Sequence, residues 1–364
     1  MTFTALPHPA PVPGETRQQA LADPGFGTLF SDHMVSIDYT EGTSGKWGGW
    51  HDATIGPREP ISIDPACAVL HYAQEIFEGM KAYQHADGSI ALFRPEENAR
   101  RFNRSAKRMA MPEMPEDLFI EAVRQLVQAD RNWFPTVDGG ALYLRPFMFA
   151  SEAFLGVRPA REYKFMVIAS PVGNYFKSGV PAVKIWVAQD YVRAAKGGTG
   201  AAKTGGNYAA SLVPQAEAIA QGCDQVVFLD AIERKWIEEL GGMNLFFVMK
   251  DGSVVTPPLT GTILPGITRD SLIALLREDG LTVREESYAI DQWRRDAQSG
   301  DLLETLACGT AAVVTPVGTV ASREGSFTIG SGGAGQVAGK MRDRLLAIQN
   351  GTAADPHGWV MKIS

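Results

Sequence analysis

The chain predicts a two-domain protein of mixed α and β structure, in the α+β or α/β class. Three observations predict it. Its 364 residues exceed what one hydrophobic core usually serves. A content of 45% hydrophobic and 21% charged residues is that of an ordinary globular protein. Short apolar runs of strand period also alternate with stretches of helical spacing along the whole length.

The elements follow in order. Residues 1–25 are rich in proline and polar residues and read as a loose arm. The runs His33–Tyr39, Ser62–Ile63 and Ser89–Phe93 stand between Gly, Pro and Asp breaks, as strands of an antiparallel sheet do. Pro95 to Ala110 has helical spacing, and Pro95 followed by Glu96 and Glu97 suits a helix N-terminus. Pro115–Ala129 is a second helix, with Leu118, Ile120, Val123, Leu126 and Val127 as its apolar positions. Ala141–Ala150 and Tyr163–Ser170 are strand-like, rich in aromatic or β-branched residues. The Pro-, Gly- and Asn-containing stretch after them reads as a linker, 173–184. It divides a small N-terminal domain, 1–172, from a larger C-terminal domain, 185–364, that carries Lys203.

Val183–Ala188 is a strand, followed by a glycine-rich loop and a helix over Asn207–Gln221. Gln225–Asp230, Asn244–Lys250 and Ser253–Thr256 are strands, with Asp251-Gly252 as a hairpin turn. Thr268–Glu278 is a helix closed by Gly280. Gly330–Gly335 reads as a loop before a last helix, 337–349.

Bulk properties exclude several classes. A net charge of −7 without a basic tract argues against a nucleic-acid surface or an anionic-membrane patch. No stretch approaches the roughly 20 apolar residues that span a bilayer, and the N-terminus lacks the pattern of a secretory signal. Cys67, Cys223 and Cys308 are isolated, and the histidines form no ligand pair, so neither a metal site nor a disulfide framework is expected. A reducing cytoplasm fits this cysteine usage.

The most legible chemistry is the segment Gly197–Tyr208, a lysine among Gly and Ala with a tyrosine five residues on. Small neighbours would let a planar group lie against Lys203, and Tyr208 is suited to hydrogen-bond a phenolate-like oxygen. A desolvated lysine amine is a nucleophile toward aldehydes. On this segment alone a solvated loop lysine is the alternative. A nucleotide-binding P-loop is a second one. It requires a glycine where Ala202 stands, and a strand before the loop that Asp190–Ala195 does not resemble.

Other segments bear on the choice. Leu264–Ser271 opens a helix, with Gly266 permitting close backbone approach and the amides of Ile267 and Thr268 unpaired, an arrangement that binds phosphate. Cys308–Ala312 is a small-residue turn that offers Gly309, the Thr310 hydroxyl and nearby amides to an anion. Glu238 and Glu239 precede a glycine turn, where a carboxylate entering an apolar site needs a positive partner. Arg94, Arg100 and Arg101 lie near or on the helix from Pro95, where one can clamp a phosphate. A nucleophilic lysine, a phenol, a counter-ion for a protonated pyridine and a phosphate cup are together the needs of pyridoxal 5'-phosphate.

At this point the chain resembles the branched-chain amino-acid aminotransferases, of the fold type IV pyridoxal-phosphate group, over nearly its whole length. The match is carried by LHYAQEIFEGMKAY (70–83), FRPEENARRF (93–102), ALYLRP (141–146), FLGVRP (154–159), SPVGNYF (170–176), AAKTGGNY (201–208), EELGGMN (238–244), LPGITRDS (264–271) and CGTAAVVTPVG (308–318). The resemblance implies two domains, each a mixed or barrel-like sheet flanked by helices. It implies Lys203 as the catalytic Schiff-base lysine, Tyr208 as donor to the cofactor's phenolic oxygen and Glu239 as partner of the ring nitrogen. Arg101, Gly266, Ile267, Thr268, Gly309 and Thr310 would hold the phosphate. Tyr72, Phe77, Lys81, Tyr143, Arg145 and Tyr175, with Thr310 and Ala311, match substrate-pocket positions. Leu155 and Val157 match a loop that reaches a neighbouring subunit, which implies a homodimer.

The implied reaction exchanges amino groups between L-leucine, L-isoleucine or L-valine and 2-oxoglutarate. Two departures stand out: Ala312 and Thr315 occupy the place of a redox cysteine pair in some animal relatives, and Gly242 that of a threonine. A D-amino-acid aminotransferase or an aminodeoxychorismate lyase is the alternative within the group, and a non-catalytic protein that kept the fold is the alternative outside it.

Overall fold

The computed structural model describes the chain except residues 43–47, 138, 174–181 and 364. Two compact units result: Met1–Tyr175 with Ala202–Gly205 and Gln349–Ser364, and Phe176–Ala201 with Gly206–Ile348.

In the first unit the strands lie in the order Thr4–Ala5, Gly49–Pro57, His33–Thr40, Glu162–Val172, Ala141–Ala150, Met80–Gln84, Ile90–Phe93 and Val360–Lys362. Glu75–Phe77 also pairs with Ala141–Ala150. Neighbours are antiparallel except Thr4–Ala5, which runs parallel to Gly49–Pro57. The helices Pro95–Arg108 and Glu116–Ala129 belong to this unit. Pro95 occupies the first turn with Glu96 and Glu97, and Lys107 and Arg108 close the last turn, charges that complement the helix dipole at both ends. Asn98, Ala99, Arg101, Phe102, Ser105 and Ala106 are buried, a spacing of three and four residues that sets one face inward. Phe102 packs against Phe119 at 5.3 Å and Phe165 at 5.5 Å between ring centroids.

In the second unit the order is Ile237–Leu240, Gln225–Leu229, Val183–Ala188, Val313–Ser322, Leu302–Gly309, Asn244–Met249, Ser253–Thr256 and Thr282–Glu285, with Gly325–Thr328 on Val313–Ser322. Val183–Ala188 is parallel to both its neighbours, and Ser253–Thr256 is parallel to Thr282–Glu285. A parallel pair needs a crossover, and the helix Ile267–Glu278 supplies it for the latter pair. The core gathers around the fully buried Trp293, whose ring lies 5.0 Å from Phe247 and 5.8 Å from Phe327. Its indole N–H donates to Thr305 Oγ1 at 3.2 Å, which satisfies the one polar group of the side chain.

The fold is therefore the expected two-sheet α and β architecture, with local departures. Residues 1–25 are not a loose arm throughout: Thr4 and Ala5 pair with Thr54 and Ile55, and Gly14–Leu21 is helical and ends on buried Leu21. Composition does not report a pairing partner fifty residues away. Ser62–Ile63 forms no strand, and Ile61 and Ile63 are exposed. The strand of this region is Gly49–Pro57, whose alternation is broken at Asp52, held in the left-handed region. Asn207–Gln221 is two pieces, Gly205–Ala209 and Leu212–Ala220. Pro214 has no N–H to give, so it suits only the first turn of a helix that begins at Leu212. The linker expected over 173–184 lies mostly outside the described residues, and Val183 already belongs to a strand.

Phe102→Ala removes the ring at the centre of this aromatic cluster and should cost about 3–5 kcal/mol. A shift of the urea midpoint of that size, at unchanged slope, is the expected result; a change under about 1 kcal/mol would mean that the site collapses without loss.

Candidate active site

Lys203 is half-buried, not a solvated loop lysine. It also belongs to the first unit, although the sequence boundary assigns it to the C-terminal domain. The reason is main-chain hydrogen bonding. The Phe77 amide donates to the Lys203 carbonyl at 3.0 Å, and the Lys203 amide donates to Ser105 Oγ at 2.9 Å. One residue further on, Glu75 Oε1 accepts from the Thr204 hydroxyl at 3.3 Å and from the Gly205 amide. Lys203 Nζ stands 4.8 Å from the Phe77 ring centroid.

Around it the first unit gathers several of the expected substrate residues. Phe77 is on a strand paired with Ala141–Ala150, which also carries Tyr143 and Arg145 two residues apart and so on one face. Buried Lys81 pairs in register with Tyr143. The Arg145 guanidinium lies 4.7 Å from the Phe77 ring and 5.6 Å from that of Tyr143, and its Nη2 donates to Tyr143 Oη at 3.3 Å. Its Nε is buried without a hydrogen bond. Tyr72 ends the short helix Ala68–Tyr72 and its hydroxyl donates to the Leu155 carbonyl. Leu155 and Val157 themselves are exposed, at 64% and 90%. Tyr175 lies outside the described residues.

Of the three candidate arginines, Arg101 is the one that faces inward. Arg100 is exposed and paired with Glu97 at 2.6 Å, and Arg94 lies against Trp359. Arg101 forks onto Glu78, Nε to Oε1 at 2.7 Å and Nη2 to Oε2 at 2.8 Å. Asn98 Nδ2 adds a third donor at 2.8 Å. Burial alone would raise the Glu78 carboxyl, but the Arg101 charge and these bonds outweigh it and hold the carboxyl below its ordinary range. Glu75 is the opposite case: burial raises its carboxyl, and the Gly205 and Thr204 bonds with the Arg145 charge offset that only in part. Sequence reasoning misses Glu75, Glu78, Asn98 and Ser105. Polar residues at inward positions of a helix, such as Asn98 and Ser105, are the available signal.

The second unit carries the remaining expected residues. Glu238 and Glu239, expected before a glycine turn, lie in the buried strand Ile237–Leu240. Glu239 Oε1 accepts from the Leu264 amide at 2.9 Å and Oε2 from Asn244 Nδ2 at 3.3 Å. Asn244 Nδ2 also donates to the Leu264 carbonyl at 3.1 Å. Gly266 precedes the helix Ile267–Glu278, which has no side-chain cap, so its first-turn amides near Ile267 and Thr268 face outward from the helix end as donors. A Cβ at Gly266 would lie 2.0 Å from Asn244 Oδ1, so a side chain there would have to displace the Asn244 amide. Gly309 ends the strand Leu302–Gly309 and lies against Met243 and Gly242. Thr310 and Ala311 follow in the turn to Val313–Ser322. A Cβ at Gly242 would reach Tyr208 at 3.9 Å, ordinary contact, so Tyr208 and the Gly242 turn are neighbours.

Comparison with known proteins bears on this set of residues. A family model described as amino-transferase class IV matches residues 75–320. The probable branched-chain-amino-acid aminotransferase of Streptomyces coelicolor is 57% identical over 99% of this chain and 98% of its own length. The branched-chain-amino-acid aminotransferase of Mycolicibacterium smegmatis is 53% identical over 100% of this chain and 99% of its own. Among solved structures, the Escherichia coli branched-chain amino acid aminotransferase superposes with a TM-score of 0.74 at 28% identity, covering 91% of this chain and 100% of that one. A second branched-chain amino acid aminotransferase, complexed with N-(5'-phosphopyridoxyl)-L-glutamate, gives a TM-score of 0.72 at 29% identity, covering 91% and 99%.

Glu78→Ala leaves the Arg101 guanidinium buried without its counter-charge and should cost about 3–5 kcal/mol. Because the Glu78 carboxyl is depressed in the folded protein, the pair's stabilisation is complete above the unfolded carboxyl value of about 4.3 and is lost as pH falls through the folded value. Urea titrations from pH 7 to pH 3 should show the wild-type advantage over the variant shrinking only at the acid end. An advantage already absent at pH 7 would refute the pairing.

Proposed function

The chain belongs to the amino-transferase class IV family, and we propose that it is a pyridoxal-phosphate-dependent branched-chain-amino-acid aminotransferase. It exchanges the amino group between L-leucine, L-isoleucine or L-valine and 2-oxoglutarate, giving branched 2-oxo acids and L-glutamate. The observation that carries the reading is Lys203, held by its main chain on both sides with its amine beside the Phe77 ring.

The residues fit the cofactor. An uncapped helix start behind a glycine packed against the Asn244 amide suits a phosphate. A buried carboxylate among N–H donors suits a protonated ring nitrogen. When bound, pyridoxal 5'-phosphate supplies an aldehyde carbon that takes up amines and a ring that accepts the electron pair left at Cα. Lys203 Nζ would hold that cofactor and would move the Cα proton as general base and acid. Glu239 would keep a proton on the ring nitrogen, and Tyr208 would donate to the phenolic oxygen. Arg101, the amides of Ile267 and Thr268 beside Gly266, and Gly309 with Thr310 match the positions that would bind the phosphate.

One pocket must take both an aliphatic side chain and a carboxylate. Tyr72, Phe77 and Tyr143 would supply apolar walls, and Lys81, Tyr175, Thr310 and Ala311 match the other substrate positions of the family. Arg145 together with Tyr72 receives the glutamate carboxylate, a role supported by the buried Arg145 Nε that has no hydrogen bond. Leucine, isoleucine and valine differ by a methylene or a branch point, worth about 1–3 kcal/mol in an apolar pocket, so all three are accepted. Exposure of Leu155 and Val157 supports their service to a neighbouring subunit in a homodimer. A cytoplasmic location fits the three buried, unpaired cysteines, and among the described residues no helix is long and apolar enough to cross a membrane.

Purified protein should show visible absorbance from the bound cofactor and should convert L-leucine with 2-oxoglutarate to L-glutamate. Activity with D-leucine only, or pyruvate release from aminodeoxychorismate, would reject the assignment. Lys203→Ala should lose that absorbance and about 10²–10⁴-fold in turnover; a borohydride-fixed adduct on another lysine would move the role elsewhere. Glu239→Gln should lower turnover far more than cofactor retention, and unchanged turnover would remove this carboxylate from the reaction.

A further inference from the structure

The second unit buries an arginine to which the reading above gives no part. Arg193 lies between the strand Val183–Ala188 and the lysine segment, in a stretch without regular structure. Arginines in such stretches ordinarily keep the guanidinium in water. This one has a side chain only 2% exposed, with Nη1 2.9 Å from Glu239 Oε1. The same nitrogen donates to the Thr262 carbonyl at 3.0 Å and to the Gly200 carbonyl at 3.3 Å. Its acceptors belong to three segments of interest: Gly200 shortly before Lys203, Thr262 shortly before Gly266, and Glu239 itself.

The two adjacent carboxyls differ in what surrounds them. Glu238 and Glu239 are both buried beside the single guanidinium of Arg193. Burial raises the Glu238 carboxyl, and the Thr262 hydrogen bond and the Arg193 charge offset that only in part. Its Oε2 is buried without a hydrogen bond. Glu238 is thus the carboxyl that burial raises, while Glu239 is the one in direct contact with the Arg193 guanidinium. Asp230 adds to the rise of the Glu238 carboxyl; Cys308 is pushed up to about 12 by burial, with Arg269 lowering and Glu239 raising it, and stays a neutral thiol.

We propose that Arg193 is a positioning residue for transamination: it keeps Glu239 ionised and in one place, and acts on the cofactor ring only through that carboxylate. The inference rests on the transaminase reading given above. Without the guanidinium, a carboxyl this buried takes up a proton and can no longer hold one on the ring nitrogen. Removing Arg193 should therefore reproduce the loss of Glu239 rather than a general loosening of the fold.

The test uses holoenzyme carrying Arg193→Gln, Arg193→Lys, Glu239→Gln or the double change Arg193→Gln with Glu239→Gln. Glutamine keeps a donor for the two carbonyls but loses the charge, whereas lysine keeps the charge. Two quantities are read: turnover with L-leucine, and the pH midpoint of the cofactor's visible absorbance without substrate. Arg193→Gln should lower turnover at least about tenfold and move the midpoint about one unit, in the direction seen for Glu239→Gln. Arg193→Lys should recover most of both, and the double variant should be little worse than Glu239→Gln alone.

Wild-type absorbance in Arg193→Gln, additive losses in the double variant, or equal effects of glutamine and lysine would overturn the proposal. Should Arg193→Gln fail to fold, Arg193→Lys decides: a midpoint near wild type supports the proposal, and one matching Glu239→Gln overturns it. Wild-type protein that takes up no pyridoxal phosphate would overturn the transaminase reading and this inference with it. Wild-type protein that binds it normally isolates any failure to Arg193.

Discussion

A lysine amine at the end of four methylenes is useful only if the main chain beneath it cannot drift. In this chain that constraint is met by hydrogen bonds from the Phe77 amide to the Lys203 carbonyl and from the Lys203 amide to Ser105 Oγ. Glu75 secures the next two residues through the Thr204 hydroxyl and the Gly205 amide. These bonds draw Ala202–Gly205 out of its sequence neighbourhood and into the first unit. They also set Nζ beside the Phe77 ring and, through the same short strand, beside the wall that carries Tyr143 and Arg145.

Each unit holds a pair of buried or half-buried carboxyls whose members differ in the donors around them. Glu78 is held ionised by the forked Arg101, and Glu239 accepts two N–H groups and the Arg193 charge. Glu75 and Glu238, with fewer compensating donors, are raised by burial. Divergence of neighbouring acids is how a fold assigns charged and protonated roles at one pH. Buried ion pairs contribute little net stability because desolvation offsets their attraction. Their value here is placement: each fixes a helix or strand position.

The regular elements are largely legible because their signals are local. Pro95 with Glu96 and Glu97 marks one helix start, and the aromatic run Ala141–Ala150 is a strand over the residues expected of it. Glu238–Glu239 is less legible, because two adjacent acids before a glycine pair imitate a solvated turn. Donors brought to Glu239 from Arg193, Asn244 and Leu264 help make a buried strand tolerable there. Arg101 cannot be told from Arg100 by residue type, since the two differ only by the rotation of one helical residue.

What the sequence alone determined is chemical type and order. The lysine among small residues, the glycine before a helix, the acidic pair and the arginines name the cofactor class, and their arrangement along the chain names the family. Tertiary structure alone decided which of two adjacent arginines turns inward, which of two adjacent glutamates meets the guanidinium of Arg193, and that Ser105 and Glu75 fasten the lysine. The physical reason is range. Helix starts, strand periods and glycine turns are set by neighbours within a few residues, whereas a buried charge survives only where distant segments bring donors to it.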